Sequence, residues 1–217
     1  MKKFELTNEF ITNMFGTKLF RIRALVEFGD VEAGELGGYV EKESNLGHDD
    51  NAWVYGDARV YDNARVYDNA RVYGDAQVSG DARVYDNARV YGDAWVYGDA
   101  WVYDNALVCG NARVYDNARV YGDAWVYGNA RVCGDALVCG DARVCGNGDY
   151  AYAHGFGSVN RTTTFFRLKD GGVGVRCGCF YGTLAQFRDK IRETHGETKK
   201  AQEYLMLADL MKLRFEK

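Results

Sequence analysis

The chain has 217 residues, of which 47% are hydrophobic and 27% charged, with a net charge of −4 and no proline. That composition excludes a disordered chain, and the mild charge argues against a protein that grips nucleic acid through overall basicity. No stretch approaches the ~18 apolar residues of a membrane span, so no membrane partner is expected.

The chain opens MKKFELTNEFITNMFG, with two lysines but no apolar leader core. No signal peptide is read there, and the six cysteines are expected to be reduced thiols in a cytosol. Residues 1–50 read as an N-terminal cap, with a strand-like KLFRIRALV followed by a turn-rich approach. A cap is needed because the end of a stacked-strand structure exposes valines and unpaired strand edges.

Residues 51–147 are a hexad repeat, Ala-x-Val-y-[Gly/Asp]-[Asp/Asn], with valine at every sixth position from Val54 to Val144. Within Ala-x-Val-y the period of two puts alanine and valine on one face and x and y on the other. The closing pair always supplies a residue that tolerates positive φ, so each hexad predicts a short strand plus a corner. A helix is excluded, because apolar residues at i and i+2 with period six smear around a 3.6-residue wheel. One such strand cannot bury its apolar face alone, but stacked coils can. Three hexads make an 18-residue triangular coil, and the repeat predicts about five coils.

VYGDAR and VYDNAR resemble the hexapeptide pattern of left-handed parallel β-helix proteins over residues 52–147. The left hand is implied by that resemblance alone, since parallel crossovers are normally right-handed. The lead-in over 28–58, with Phe28, Gly29, Asp30, Ala33, Gly34, Gly37 and Gly38, resembles the start of YdcK-like bacterial hexapeptide-repeat proteins.

Past Gly146 the composition changes, and residues 148–217 read as a small α+β module. TTTFFRLKDGGVGVRCGCFYG predicts a hairpin turning at Lys169-Asp170-Gly171-Gly172. Thr183 and Gln186 form a capping-box pattern for a helix that stops at Gly196, and KKAQEYLMLADLMKLRF predicts a second helix. The module resembles one associated with phage and prophage repeat proteins. Residues 51–147 hold 9 Arg and 13 Asp, whereas 148–217 hold 12 Lys and Arg against 8 Asp and Glu. The fold class is thus mainly β: a parallel β-helix, an N-terminal cap, and a C-terminal hairpin plus two-helix module.

Hexapeptide β-helices resemble acyltransferases, which need a histidine base on a coil. His48, His154 and His195 all lie outside the hexads and no loop breaks the register, so no catalytic residue is assigned. Cys177 and Cys179, on one face of a strand, are read as structural thiols and not as zinc ligands; no metal or cofactor is assigned. Cys109, Cys133, Cys139 and Cys145 replace the repeat's tyrosine and are expected to point outward, as is Trp53 in the x row. Residues 18 apart stack, which aligns Tyr67, Tyr85, Tyr103 and Tyr121 beside Arg65, Arg83, Trp101 and Arg119, with Trp95 across the next corner. These nine residues are the candidate binding surface, because exposed Arg, Trp and Tyr are the residue types of interaction hot spots. Stacked ladders also serve structure, at ~0.2–1 kcal/mol per pair. The expected protein is a non-catalytic bacterial or phage scaffold. Its expected partner is a protein, such as a host defence protein, a second or third copy of itself, or a small nucleotide signal. The alternative is an acyltransferase-like enzyme.

Overall fold

A computed structural model describes residues 2–157 and 160–216. The chain begins with an antiparallel hairpin, β1 (Phe4–Thr12) and β2 (Lys18–Ala24), and β2 pairs antiparallel with β3 (Leu36–Val40). Sixteen two-residue strands follow, from β4 (Trp53–Val54) to β19 (Arg143–Val144), one per hexad. Each pairs in parallel with the strand 18 residues away, as Trp101 does with Arg83 and Arg119, so successive hexads fall on three separate sheets in turn. The result is a β-solenoid whose interior is a column of fully buried valines and alanines from Ala52 to Val144.

The solenoid has about six turns, where the hexads alone predict about five. The difference arises in the lead-in. Tyr39 and Val40 pair in parallel with Arg59 and Val60, and Leu46 bridges Val66, so a coil forms before the first hexad. Gly37 and Gly38 permit that entry, because a Cβ at either would sit 2.6 Å from the carbonyl oxygen of Val54 or Ala58. The first coil is sealed by Phe4, Ile22 and Val31, which join the solenoid core. Trp53, expected outside, is fully buried there, with Phe4 and Phe28 edge-on at ring-centroid distances of 6.2 and 5.3 Å. Lys3 is buried beside it. Its ammonium donates to the Asp50 and Ala52 carbonyls at 3.0 and 2.8 Å and pairs with Asp50 Oδ1 at 3.0 Å.

At every corner from 56 to 140, the first residue of the closing pair takes positive φ, which explains the choice of Gly or Asp. Asp62, Asp68, Asp86, Asp104 and Asp116 sit there at φ between 54° and 61°. An L-residue in this region carries a cost of about 1–2 kcal/mol. Each of these carboxylates accepts the backbone N–H one coil on, from Gly80, Asp86, Asp104, Gly122 and Gly134 respectively, at 3.1–3.4 Å. A glycine corner avoids the strain but leaves that N–H to water. Asp86→Gly therefore changes stability by only about 0.5 kcal/mol. Asp86→Val loses the acceptor and forces a β-branched residue to positive φ, at a cost of about 2–3 kcal/mol. Thermal melts of the two variants check this difference.

After the last hexad come β20 (Tyr150–Phe156), β21 (Arg161–Arg167), β22 (Val173–Cys177) and β23 (Phe180–Thr183), an antiparallel sheet. The predicted turn is present, with Leu168 N–H on Gly172 O and Gly171 N–H on Leu168 O, both at 2.9 Å. α1 (Leu184–His195) opens on the Thr183–Gln186 capping box and is capped by Gly196, and α2 (Lys199–Phe215) follows. Neither crosses a membrane: among the described residues no helix is long and apolar enough. The helices and sheet share their own core of Phe165, Phe187, Tyr204 and Met211. On its other side the sheet closes the solenoid's far end, where Tyr150 and Phe166 enter the solenoid core and Leu168 bridges Ala142.

Candidate functional site

The proposed surface lies on the sheet built from the strands of Arg65, Arg83, Trp101, Arg119 and Leu137. Strand spacing sets its geometry. The rings of Tyr67, Tyr85, Tyr103 and Tyr121 stack at 4.9, 5.0 and 4.9 Å, tilted by only 2–4°, close to the ~4.8 Å between neighbouring strands. In the parallel row, the Trp101 ring lies between the Arg83 guanidinium at 4.9 Å and that of Arg119 at 4.6 Å. Tyr85 meets the same indole edge-on at 6.3 Å. The side chains are thus held by ring contacts above and below on a dry, fixed backbone.

The electrostatics follow from burial and cation supply. Among the described residues, Arg65, Arg83 and Arg119 have no carboxylate partner within ion-pair distance. Partial burial raises the Tyr67 and Tyr103 hydroxyl pKa values, and burial with flanking tyrosines pushes that of Tyr85 up to about 12. The phenols therefore stay neutral, and the arginines of the face stand between corner carboxylates, Asp68, Asp86 and Asp104, that lie near the tyrosine hydroxyls without pairing to the guanidinium groups.

Two candidates behave differently from the rest. Trp95 belongs to the neighbouring sheet, between Gln77 and Arg113, with the Arg113 guanidinium 5.0 Å from its ring. Tyr121 is partly covered by the C-terminal sheet, whose Arg176 lies 5.9 Å above its ring. The open part of the face therefore runs from Arg65 to Arg119 and Tyr103.

The cysteines need correction. Cys109, Cys133 and Cys145 reach the surface to differing degrees, but Cys139 is buried, because the C-terminal sheet folds back over it. Each tyrosine column runs into a thiol: Tyr91 bonds Cys109, Tyr115 bonds Cys133, and Tyr121 bonds Cys139. Cys177 and Cys179 do not share a strand face. Cys177 ends β22, Gly178 turns at φ 58°, and Cys179 is exposed in the two-residue turn to β23. Among the described residues no three His, Cys, Asp or Glu side chains converge as a metal site. His48 stacks on Phe4 at 4.3 Å and accepts from Lys3 N–H, and His154 bonds Thr162 at 2.9 Å on the C-terminal sheet.

Residues outside the nine also line the open end of the face. Lys42, Ser44, Leu46, Gly47 and Asn63 form grooves against Arg65, Tyr67 and Arg83. The only trace of this in the sequence is Leu46, an apolar residue two positions out of phase with the valines.

The fold defines a β-solenoid protein with capped ends. The YdcK Beta solenoid repeat family model matches residues 64–80, 76–89, 82–98 and 112–128, so the hexads are similar to that repeat. No curated protein matches the chain.

Proposed function

We propose that the protein is a binding scaffold without chemistry of its own, a left-handed, three-sided solenoid that holds a protein partner or a second copy against its Arg–Trp–Tyr face. The observation that carries this reading is Trp101, fixed between Arg83 and Arg119 on a solvent-facing sheet with no carboxylate answering the arginines. Arg, Trp and Tyr are the residue types that dominate interface energy, and a rigid side chain loses little entropy on binding. Three hexads per turn support the three-sided shape; a crystal structure showing the opposite hand would overturn the handedness.

The double variant Arg83→Ala/Trp101→Ala tests the face. Both side chains point away from the valine core, so stability falls by no more than about 1–2 kcal/mol. At an interface hot spot each truncation costs about 2 kcal/mol or more, over tenfold in affinity. The variant is expected to melt cooperatively yet lose its captured partner or change its mass by light scattering. Unchanged partner and mass would refute the reading.

A further inference from the structure

The tyrosine column of this face has an open end. Gly47 N–H donates to Val66 O at 2.8 Å, just as Tyr67 and Tyr85 N–H donate to Val84 and Val102 O at 3.1 Å. Gly47 therefore stands on the rung where the repeat places tyrosine. A side chain is excluded there, because a Cβ would collide with Asp50 Oδ2. That carboxylate is committed: Oδ2 accepts Asp68 N–H at 2.7 Å and Oδ1 pairs with Lys3 at 3.0 Å. Tyr85 is stacked on both faces, by Tyr67 and Tyr103, whereas among the described residues Tyr67 has a stacked ring on one face only.

Where the missing ring would lie there is a groove of about 380 Å³, bounded by Leu46, Gly47, Arg65, Tyr67 and Arg83. A second cleft of about 230 Å³ shares Ser44, Arg65 and Arg83 with it and adds Lys42, Asn63 and Asp81. Among the described residues, the Arg65 and Arg83 guanidinium groups make no hydrogen bond or ion pair, and Lys42 donates only to Asn63 Oδ1 at 3.3 Å. Lys42, Arg65 and Arg83 thus line these clefts with one carboxylate, that of Asp81, beside an open aromatic face, while the Asp68 and Asp86 carboxylates lie near the Tyr67 hydroxyl.

We infer that this groove binds a phosphorylated aromatic heterocycle, the nucleotide class. Its base continues the stack on Tyr67 and its phosphate sits among Lys42, Arg65 and Arg83. The inference rests on the reading of this face as a binding surface and places a small ligand at its open end. Two observations separate this occupant from others. An aromatic side chain of a protein would fill the stacking position but leave the cations unanswered, and inorganic phosphate would leave the ring bare. The volume lies at the small end of the ~300–1,000 Å³ range of ligand pockets, which suits a mononucleotide. Aromatic stacking and charge-assisted contacts to phosphate are the two recognition modes such a ligand uses.

The test is calorimetry on the full chain with AMP and GMP as probes, and adenosine and inorganic phosphate as the separated halves. At least one nucleotide should bind, each half should bind about tenfold or more weakly, and Tyr67→Leu and Arg65→Glu should each weaken the nucleotide by about tenfold or more. Thermal melts establish that the variants are folded. If either is not, saturation-transfer NMR on the wild-type protein decides, with contacts from the Tyr67 ring to the base protons supporting the site and their absence overturning it. No heat with either nucleotide overturns the inference, as does nucleotide affinity equal to that of inorganic phosphate, which would mean an adventitious ion only. Absence of nucleotide binding by the wild-type protein, with partner capture intact, overturns this inference alone. Nucleotide binding without a partner or assembly supports it and counts against the broader reading.

Discussion

Val102→Asp is expected to unfold the solenoid. Val102 is fully buried and paired between Val84 and Val120, within a column that holds only valine and alanine. The interior offers no donor to a carboxylate, since the ladder N–H groups are spent on neighbouring coils, Tyr85 N–H on Val102 O and Tyr103 N–H on Val120 O. An unpaired buried charge, or the proton uptake that avoids it, costs more than about 4 kcal/mol, much of a domain's total stability. The change sits mid-stack, so the coils on either side lose their neighbour as well. Loss of the cooperative melt and of β-sheet circular dichroism is the expected measurement. A soluble variant with unchanged melting would show that the register is wrong.

A second large effect is expected at high pH. Tyr85 is pushed up to about 12 by burial and the flanking tyrosines. Tyr91 and Tyr115 reach about 12 through hydrogen bonds to Cys109 and Cys133 and through burial. Tyr55 is pushed up to about 12 chiefly by burial, with Asp30 adding to the rise and Arg71 opposing it. An unfolded tyrosine titrates near pH 10. A hydroxyl whose folded pKa lies above that value contributes stability that is fully present below pH 10 and is lost as the pH climbs through the folded value. The full linkage for two units is about 2.7 kcal/mol, and partial solvent exposure reduces it to about 1 kcal/mol per tyrosine. Over these four tyrosines the loss is about 4 kcal/mol, a large part of the ~5–15 kcal/mol that holds a domain folded. Stability should therefore be flat through neutral pH and fall steeply between about pH 10 and 12, with tyrosinate absorbance and loss of β-structure rising together. Tyrosines that ionise near pH 10 without unfolding would contradict the stacked columns.

The solenoid was readable because its rule is local. Ala-x-Val-y and a corner recur six residues apart, so one hexad describes the rest, and the Thr183 cap and the turn after Leu168 are equally short-range signals. What escaped depends on segments that meet across long separations. Trp53 occupies an x position but is buried by Phe4 and Phe28, and Cys139 occupies a y position but is buried by the C-terminal sheet. The first coil was missed because Val40 and Leu46, though six residues apart, pair with Val60 and Val66 two positions out of phase with the hexads. The nine candidate residues were visible as columns, but the groove above Tyr67 was not. It depends on Gly47 replacing a tyrosine one coil earlier, which only the ladder hydrogen bonds reveal.

The pairing of each residue with the one 18 positions on makes length a quantised property of this chain. Adding or losing a single hexad obeys every local rule, yet it hands every later residue to the adjacent sheet. Cys139 would leave the column that begins at Tyr67, loss of a hexad between Trp101 and Arg119 would set Trp125 beside Trp101 in place of that arginine, and the closing sheet would meet a different side of the stack. Only steps of 18 residues keep the columns continuous and both caps seated. A gene built from near-identical hexads invites slippage by six, so the mixed tyrosine, cysteine and tryptophan columns act as an alignment key that distinguishes a tolerated change in length from a damaging one.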